Sequence, residues 1–133
     1  MCVFCKIISG EFSSQKIYED DKVLAILDLS QATEGHTLVI PKKHYQNIFE
    51  IDEETYQHLF SVVRKICLHY QKVIPNLVGL NLLNNNGEKA GQTVLHYHVH
   101  IIPRYENDDL KNMSFVDHGD KLDLSTIKSK LTL

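Results

Sequence analysis

Disulfide chemistry has little to work with in this chain. Its 133 residues hold 3 cysteines. An odd number cannot all pair, which argues against a disulfide framework. Long apolar runs are missing as well, and none approaches the ~20 residues that a membrane-spanning helix needs. The amino terminus, Met1-Cys2-Val3-Phe4-Cys5-Lys6, lacks a basic stretch followed by a long apolar one. No secretion signal is therefore expected, and the expected location is cytoplasmic. Positive charge is not in excess, with 14 Lys and Arg against 17 Asp and Glu and a net charge of −3. That balance speaks against a nucleic-acid or membrane-surface partner. Internal repeats and composition-marked linkers are also lacking.

What is present is ordinary globular composition, 43% hydrophobic and 23% charged, with an unusual 8 histidines. The length suits a single domain over residues 1–133, with a core in 1–104 and a polar C-terminal extension over 105–133. The histidines cluster in His96-Tyr97-His98-Val99-His100-Ile101-Ile102, where ring and apolar residue alternate. A period of two is how a β-strand sorts its faces, so the imidazoles share one side and Tyr97, Val99 and Ile101 the other. Pro103 is expected to end this strand, because it offers no N–H to a ladder. Imidazoles aimed into one dry space are costly unless something faces them, and a phosphate or a metal would serve.

Around this strand the pattern predicts an α+β domain, an antiparallel five-stranded sheet with one long helix and a short N-terminal helix. Cys5–Gly10 reads as a helical turn closed by glycine. Lys16–Glu19 and Val23–Asp28 form a hairpin about Asp20-Asp21. Leu29–Gly35 is a polar loop, and His36–Pro41 a buried strand. Asp52 caps a long helix whose stripe is Tyr56, Leu59, Phe60, Val63, Ile66, Cys67, Tyr70 and Val73. Cys67 on that stripe reads as a small core residue. Gly79–Leu83 is a strand, Asn84–Gly91 a loop rich in Asn and Gly, and Asp123–Leu131 a short terminal helix.

The triad His96–Ile102, the block Gly35-His36-Thr37-Leu38-Val39-Ile40-Pro41-Lys42-Lys43-His44 and the loop Asn85–Thr93 occur in one order. Together they resemble the histidine triad family, most closely its bacterial, nucleoside-phosphoramidase-like branch with an N-terminal Cys-x-x-Cys. The resemblance implies a homodimer that binds a purine nucleotide and cleaves at the α-phosphate through a nucleotidyl-histidine. On that resemblance His98 is the nucleophile, held by the main-chain carbonyl of His96, and His100 a donor to the phosphate or the leaving atom. His36 assists protonation of the leaving group. Asn85, Gln92 and Thr93 orient His98 and bind phosphate oxygens. Asp28 takes the ribose hydroxyls, while Phe4, Ile7, Ile26, Leu27, Leu29 and Leu38 line the base pocket. Cys2, Cys5, His44 and His96 match the family's zinc ligands, a closed and therefore structural site, with no catalytic metal expected. His58, His69 and His118 fall outside these blocks.

Other chemistries share some of these residues. The Cys-x-x-Cys pair alone is also compatible with redox chemistry or with two unliganded thiols, although no strand precedes it to place it at a helix N-terminus. Alternation alone is also compatible with a triad that binds a catalytic zinc, but no carboxylate stands within it. A dinucleoside polyphosphate hydrolase, and a nucleotide-sensing protein with little turnover, are the remaining alternatives.

Overall fold

A computed structural model describes residues 2–111 and 114–133. Helix α1 spans Val3–Ile8, with Cys2 at its N-cap: the Cys2 sulfur accepts the Cys5 N–H at 3.5 Å. The helix thus begins earlier than the glycine signal alone indicates, and Cys2 does lie at a helix N-terminus. Strands β1 (Lys16–Glu19) and β2 (Val23–Leu27) form the expected hairpin. Asp20 closes it, its carboxylate accepting the N–H groups of Lys22 and Val23 at 2.8 Å each. Strand β3 is Thr37–Pro41, helix α2 Glu53–Val73, strand β4 Gly79–Leu83, strand β5 Val99–Arg104 and helix α3 Leu124–Leu131.

The sheet order is β1-β2-β3-β5-β4 with antiparallel pairing throughout, an α+β architecture. Strands β2 and β3 lie in its middle and are apolar on both faces, so Val23, Leu24, Ala25, Val39 and Ile40 are all buried. One face packs on α2 through Val23, Ala25, Val39, Tyr97, Val99 and Ile101. The opposite face packs on α1 through Leu24, Ile26, Leu38, Ile40 and Phe4. Helix α2 is capped by Asp52, which accepts from Thr55 N–H, and the Tyr45 hydroxyl donates to the same carboxylate. Its buried stripe is Leu59, Val62, Val63, Ile66 and Tyr70. Val73 departs from expectation: it is the last residue of the helix and is 55% exposed.

Two departures surround the histidine segment. Regular ladder pairing starts at Val99, opposite Val39. Ahead of it the extended chain is held instead by Tyr97 N–H to the Tyr45 carbonyl at 2.6 Å, and by Asn84 Nδ2 to the His98 carbonyl at 2.8 Å. Pro103 does not end the strand but lies within it, opposite Leu80. The β3 ladder stops at Thr37 opposite Ile101, so no β3 pairing is asked of Pro103, whose carbonyl takes the Thr33 hydroxyl. The segment 105–133 carries α3, capped by Asp123, and all of Leu124, Leu131 and Phe115 are exposed. Among the described residues, no helix is long and apolar enough to cross a membrane.

Candidate active site and metal clasp

Alternation along residues 96–100 sends the three rings toward α1 and leaves Tyr97 and Val99 in the core beneath α2. His98 is 5% exposed. Its Nδ1 lies 2.6 Å from the carbonyl oxygen of His96. A carbonyl only accepts, so Nδ1 carries the proton and Nε2 keeps its lone pair. Burial depresses the His98 pKa, an effect opposed by that hydrogen bond and by the charge of Asp28. The ring is therefore neutral near pH 7 with a free nitrogen, which is the state of a nucleophile.

The neighbouring rings are ordered by the same logic. The N–H of Ala32 donates to His36 Nδ1 at 3.2 Å, which places the His36 proton on Nε2. That Nε2 stands 2.9 Å from His100 Nδ1 and 3.5 Å from an oxygen of Asp28. Donation from His36 makes His100 Nδ1 an acceptor, so a neutral His100 bears its proton on Nε2. Burial pulls the His100 pKa down to about 4, and repulsion from His98 and His36 adds to it. The His98 and His100 ring centroids are 4.9 Å apart. One lone pair and one N–H are thus presented side by side. This arrangement can attack an electrophilic centre and protonate what leaves it.

The other expected residues divide. Asp28, at the end of β2, is partly buried and accepts the Ser30 N–H at 2.8 Å. Phe4, Ile26 and Leu38 are buried in one cluster, with Ile7 packed against it. Phe4 meets the rings of both His96 and His98 edge-on, at 5.8 and 5.1 Å. Leu27 is partly buried, whereas Leu29 is 96% exposed, outside this cluster. Asn85 donates to the Gly91 carbonyl within its own loop at 3.2 Å. Gln92, expected as a phosphate donor, is engaged with its own loop and its neighbours. Its side chain donates to the carbonyls of Gln46 and Val94, and its main-chain N–H to that of Gly87. With its oxygen accepting from Gly87 N–H, every Gln92 donor is spent on pinning the loop. Thr93 lines a cavity of about 480 Å³ with Cys2, His44, Gln46, Val94 and Leu95, beside the cysteines. Asn84, which carries the His98 carbonyl, escaped the sequence reading. Its only signal was adjacency to Asn85 and Asn86.

Cys2, Cys5, His44 and His96 converge, their ligand atoms all within 4.8 Å of one another. His96 Nε2 lies 2.8 Å from the Pro41 carbonyl, so it carries the proton and Nδ1 turns its lone pair inward. That Nδ1 is 3.4 Å from Cys2 Sγ, 3.6 Å from Cys5 Sγ and 3.1 Å from His44 Nδ1. Cys5 Sγ to His44 Nδ1 is 3.4 Å. Tetrahedral bonds of usual length to zinc would separate N from N by about 3.3 Å and S from N by about 3.6 Å. The donor set and its edges fit a closed Cys₂His₂ site. Burial raises the Cys5 pKa, as does its contact with Cys2, and a metal ion bound here would displace the thiol protons. The ligands hold both ends of one turn of α1, with Phe4 between them against His98.

A family model described as "HIT domain" matches residues 9–107. The chain is 50% identical over 133 residues to the protein called hit of Bacillus subtilis, covering 98% of this chain and 91% of that one. It is 45% identical over 129 residues to adenylylsulfatase HINT3 of Arabidopsis thaliana, covering 92% of this chain and 62% of that protein. A crystal structure of a HIT family protein from Bacillus anthracis superposes with a TM-score of 0.89 at 50% identity, covering 97% of this chain and 91% of its own. A zinc-bound histidine triad family protein from Mycobacterium smegmatis gives 0.78 at 38% identity, covering 90% and 86%. Sequence, fold and the ordered rings converge on one statement: the chain belongs to the HIT, or histidine triad, family of nucleotide-binding proteins.

Proposed function

We propose that this protein hydrolyses purine nucleoside phosphoramidates or related adenylates at the α-phosphorus through a nucleotidyl-histidine intermediate. The observation that carries this reading is the fixed tautomer of His98, with Nδ1 held by the His96 carbonyl at 2.6 Å and Nε2 left free. The Nε2 lone pair attacks phosphorus in line, a P–N bond forms, and the bond to the leaving amine breaks. The His36–His100 pair, having taken up one proton beside the Asp28 carboxylate, gives the amine a proton from His100 Nε2 and so returns to the neutral pair rather than to an imidazolate. Water then attacks phosphorus, its proton returns to His100, and the P–N bond to His98 breaks, releasing the nucleoside monophosphate. Phosphate oxygens would find their donors in the loop containing Asn85 and Thr93. Asp28 would accept from the ribose hydroxyls, and Phe4, Ile7, Ile26, Leu27, Leu29 and Leu38 would flank the base.

The Arabidopsis relative supports a second leaving group in the same site, the sulfate of an adenylyl sulfate. Cys2, Cys5, His44 and His96 would hold a structural zinc, whose bound charge organises α1; the zinc-bound mycobacterial relative supports this. Residues 1–104 would form the catalytic core and 105–133 an extension. A homodimer would cover the outer edge formed by β4, where Leu82 is 52% exposed. A cytoplasmic setting agrees with reduced thiols at Cys2 and Cys5.

The test is intact-protein mass spectrometry after rapid mixing with adenosine 5′-phosphoramidate. A nucleotidyl adduct is expected on the unmodified chain and none on His98→Ala. An equal adduct on the variant overturns the assignment.

A further inference from the structure

We propose that Gln31 is the positioning residue of this site: its side-chain amide fixes the loop that spaces Asp28 from His36 and presents Ala32 N–H to the His36 ring. This rests on the function proposed above, and it adds a residue that no part of that reading contains.

The loop from Asp28 to His36 joins β2 to β3, and it bears the carboxylate at one end and the ring at the other. Its own main chain closes it with only two bonds: Asp28 N–H to the His36 carbonyl at 3.0 Å, and His36 N–H to the Thr33 carbonyl at 3.1 Å. The Gln31 side chain adds four more. Its Nε2 donates to the carbonyls of Asp28 and His36, at 2.5 and 2.8 Å. Its Oε1 accepts from the N–H groups of Gly35 and His36, at 2.8 and 3.2 Å. Two hydrogens and two lone pairs are thereby all used on main-chain atoms of one short loop. An exposed side chain contributes little to a core. The geometry of Gln31 instead resembles a rung inserted between the two ends of the loop.

The far side of the loop is anchored separately. Thr33 donates to the Pro103 carbonyl and Tyr105 to that of Glu34. Gly35, at φ +95°, presses within 3.1 Å of Pro103 when a Cβ is placed on it, so this side follows β5. Without the Gln31 amide the β5 anchor would remain, while residues 28–32 would lose their register against His36. Two consequences follow together. The Asp28 carboxylate would drift from its place 3.5 Å from His36 Nε2. The Ala32 N–H would leave His36 Nδ1, and the His36 proton would no longer be confined to Nε2.

That tautomer also tells this cluster apart from a metal site. Ligand atoms of Asp28, His36 and His100 lie within 4.8 Å of one another, as a cation would require. Yet the Ala32 N–H occupies the Nδ1 lone pair, so the His36 proton sits on Nε2, in the space an ion would fill. The cluster is a hydrogen-bond relay, and Gln31 is what keeps its first donor in place.

The experiment compares Gln31→Glu, which keeps the shape but cannot donate, and Gln31→Ala with Glu34→Gln, a surface change on the same loop. Steady-state rates with adenosine 5′-phosphoramidate are measured in each, and again for Gln31→Ala in an Asp28→Ala background. Long-range ¹⁵N–¹H spectra of the histidine rings are recorded on the ligand-free proteins. Both Gln31 variants are expected to lose between about ten- and a hundredfold in kcat/KM, with KM raised and kcat lowered, as befits a group displaced by a fraction of an ångström. Glu34→Gln should keep its rate. In the Asp28→Ala background the further rise in KM should vanish. The His36 ring should pass from a single Nε2–H form to a mixture. An unchanged His36 tautomer in both variants, or the same rise in KM without Asp28, overturns the proposal. A large loss of thermal stability in both variants does so too, since it would make Gln31 structural. If the unmodified protein turns over no phosphoramidate, the functional reading fails, while the ring spectra still decide the role of Gln31.

Discussion

The adjacent rings of His98 and His100 differ in one bond each, and that difference is measurable. His98 holds its proton against the His96 carbonyl, whereas His100 accepts at Nδ1 and so offers Nε2–H outward. If His100 is the acid, its worth depends on the leaving group. An amine departs only with a proton, while sulfate is stable as an anion. His100→Asn should therefore lower kcat on adenosine 5′-phosphoramidate by about 10²-fold or more, the usual worth of a general acid, and on adenylyl sulfate far less. Equal losses on both would assign His100 to phosphate binding alone. A different kind of residue is Tyr97, whose buried hydroxyl has no hydrogen-bond partner among the described residues. Burial pushes its pKa up to about 12, with Tyr56 adding to it. An unpaired buried hydroxyl costs about 1–3 kcal/mol. Tyr97→Phe should hold or raise the midpoint in urea at unchanged slope; a fall would reveal a partner for that hydroxyl. The triad and its sidedness were legible from alternation alone. Asn84, Gln31 and the spent donors of Gln92 were not, because side-chain amides bonding to loop main chain leave no periodic trace.

At the scale of elements, α2 was the most legible, since a 3.6-residue stripe and an Asp52 cap both point to its boundaries. Its errors were local: Val62 replaced Val73 in the buried stripe, Val73 being the exposed last residue of the helix. Pro103 misled for a related reason. A proline forbids pairing only where a neighbour asks for its N–H, and β3 has already ended there. Asp52 serves Thr55 N–H and the Tyr45 hydroxyl at once. Asp52→Ala should lower the denaturant midpoint at unchanged slope, as the loss of a cap does. Helix α1 is the opposite case, with six residues and too short to persist unaided. The Cys2, Cys5, His44 and His96 cluster is what can hold it, and Phe4 on α1 leans on His98. Chelation should lower the melting temperature, zinc should restore it, and Cys5→Ser should respond to neither. The chemical step, measured in single turnover below the melting point, should survive chelation largely intact.

Over the whole molecule, the titration of the buried rings sets how the fold responds to acid. Burial lowers the pKa of His96 and His100 to about 4 each, against an ordinary value of 6.5, and lowers that of His98 as well. Between those limits the unfolded chain binds protons that the folded chain refuses. Stability is then fully present above pH 6.5 and is lost progressively as pH falls toward about 4. A second loss belongs to the carboxylates, at lower pH. The Thr55 and Tyr45 contacts hold Asp52 down to about 2, and its stabilisation disappears only as pH falls from near 4 toward that value. The acid transition should therefore have two legs, and the upper one belongs to the site. Melting temperatures across pH 7.5 to 4.5, taken with chelator present so that metal release does not intrude, should fall steadily below 6.5. His100→Asn, which removes one of the refused protons, should fall less steeply over the same range. A melting temperature flat down to pH 4.5 would mean that the rings take up protons while folded. The neutral, ordered pair of His98 and His100 would then not be the resting state of the site.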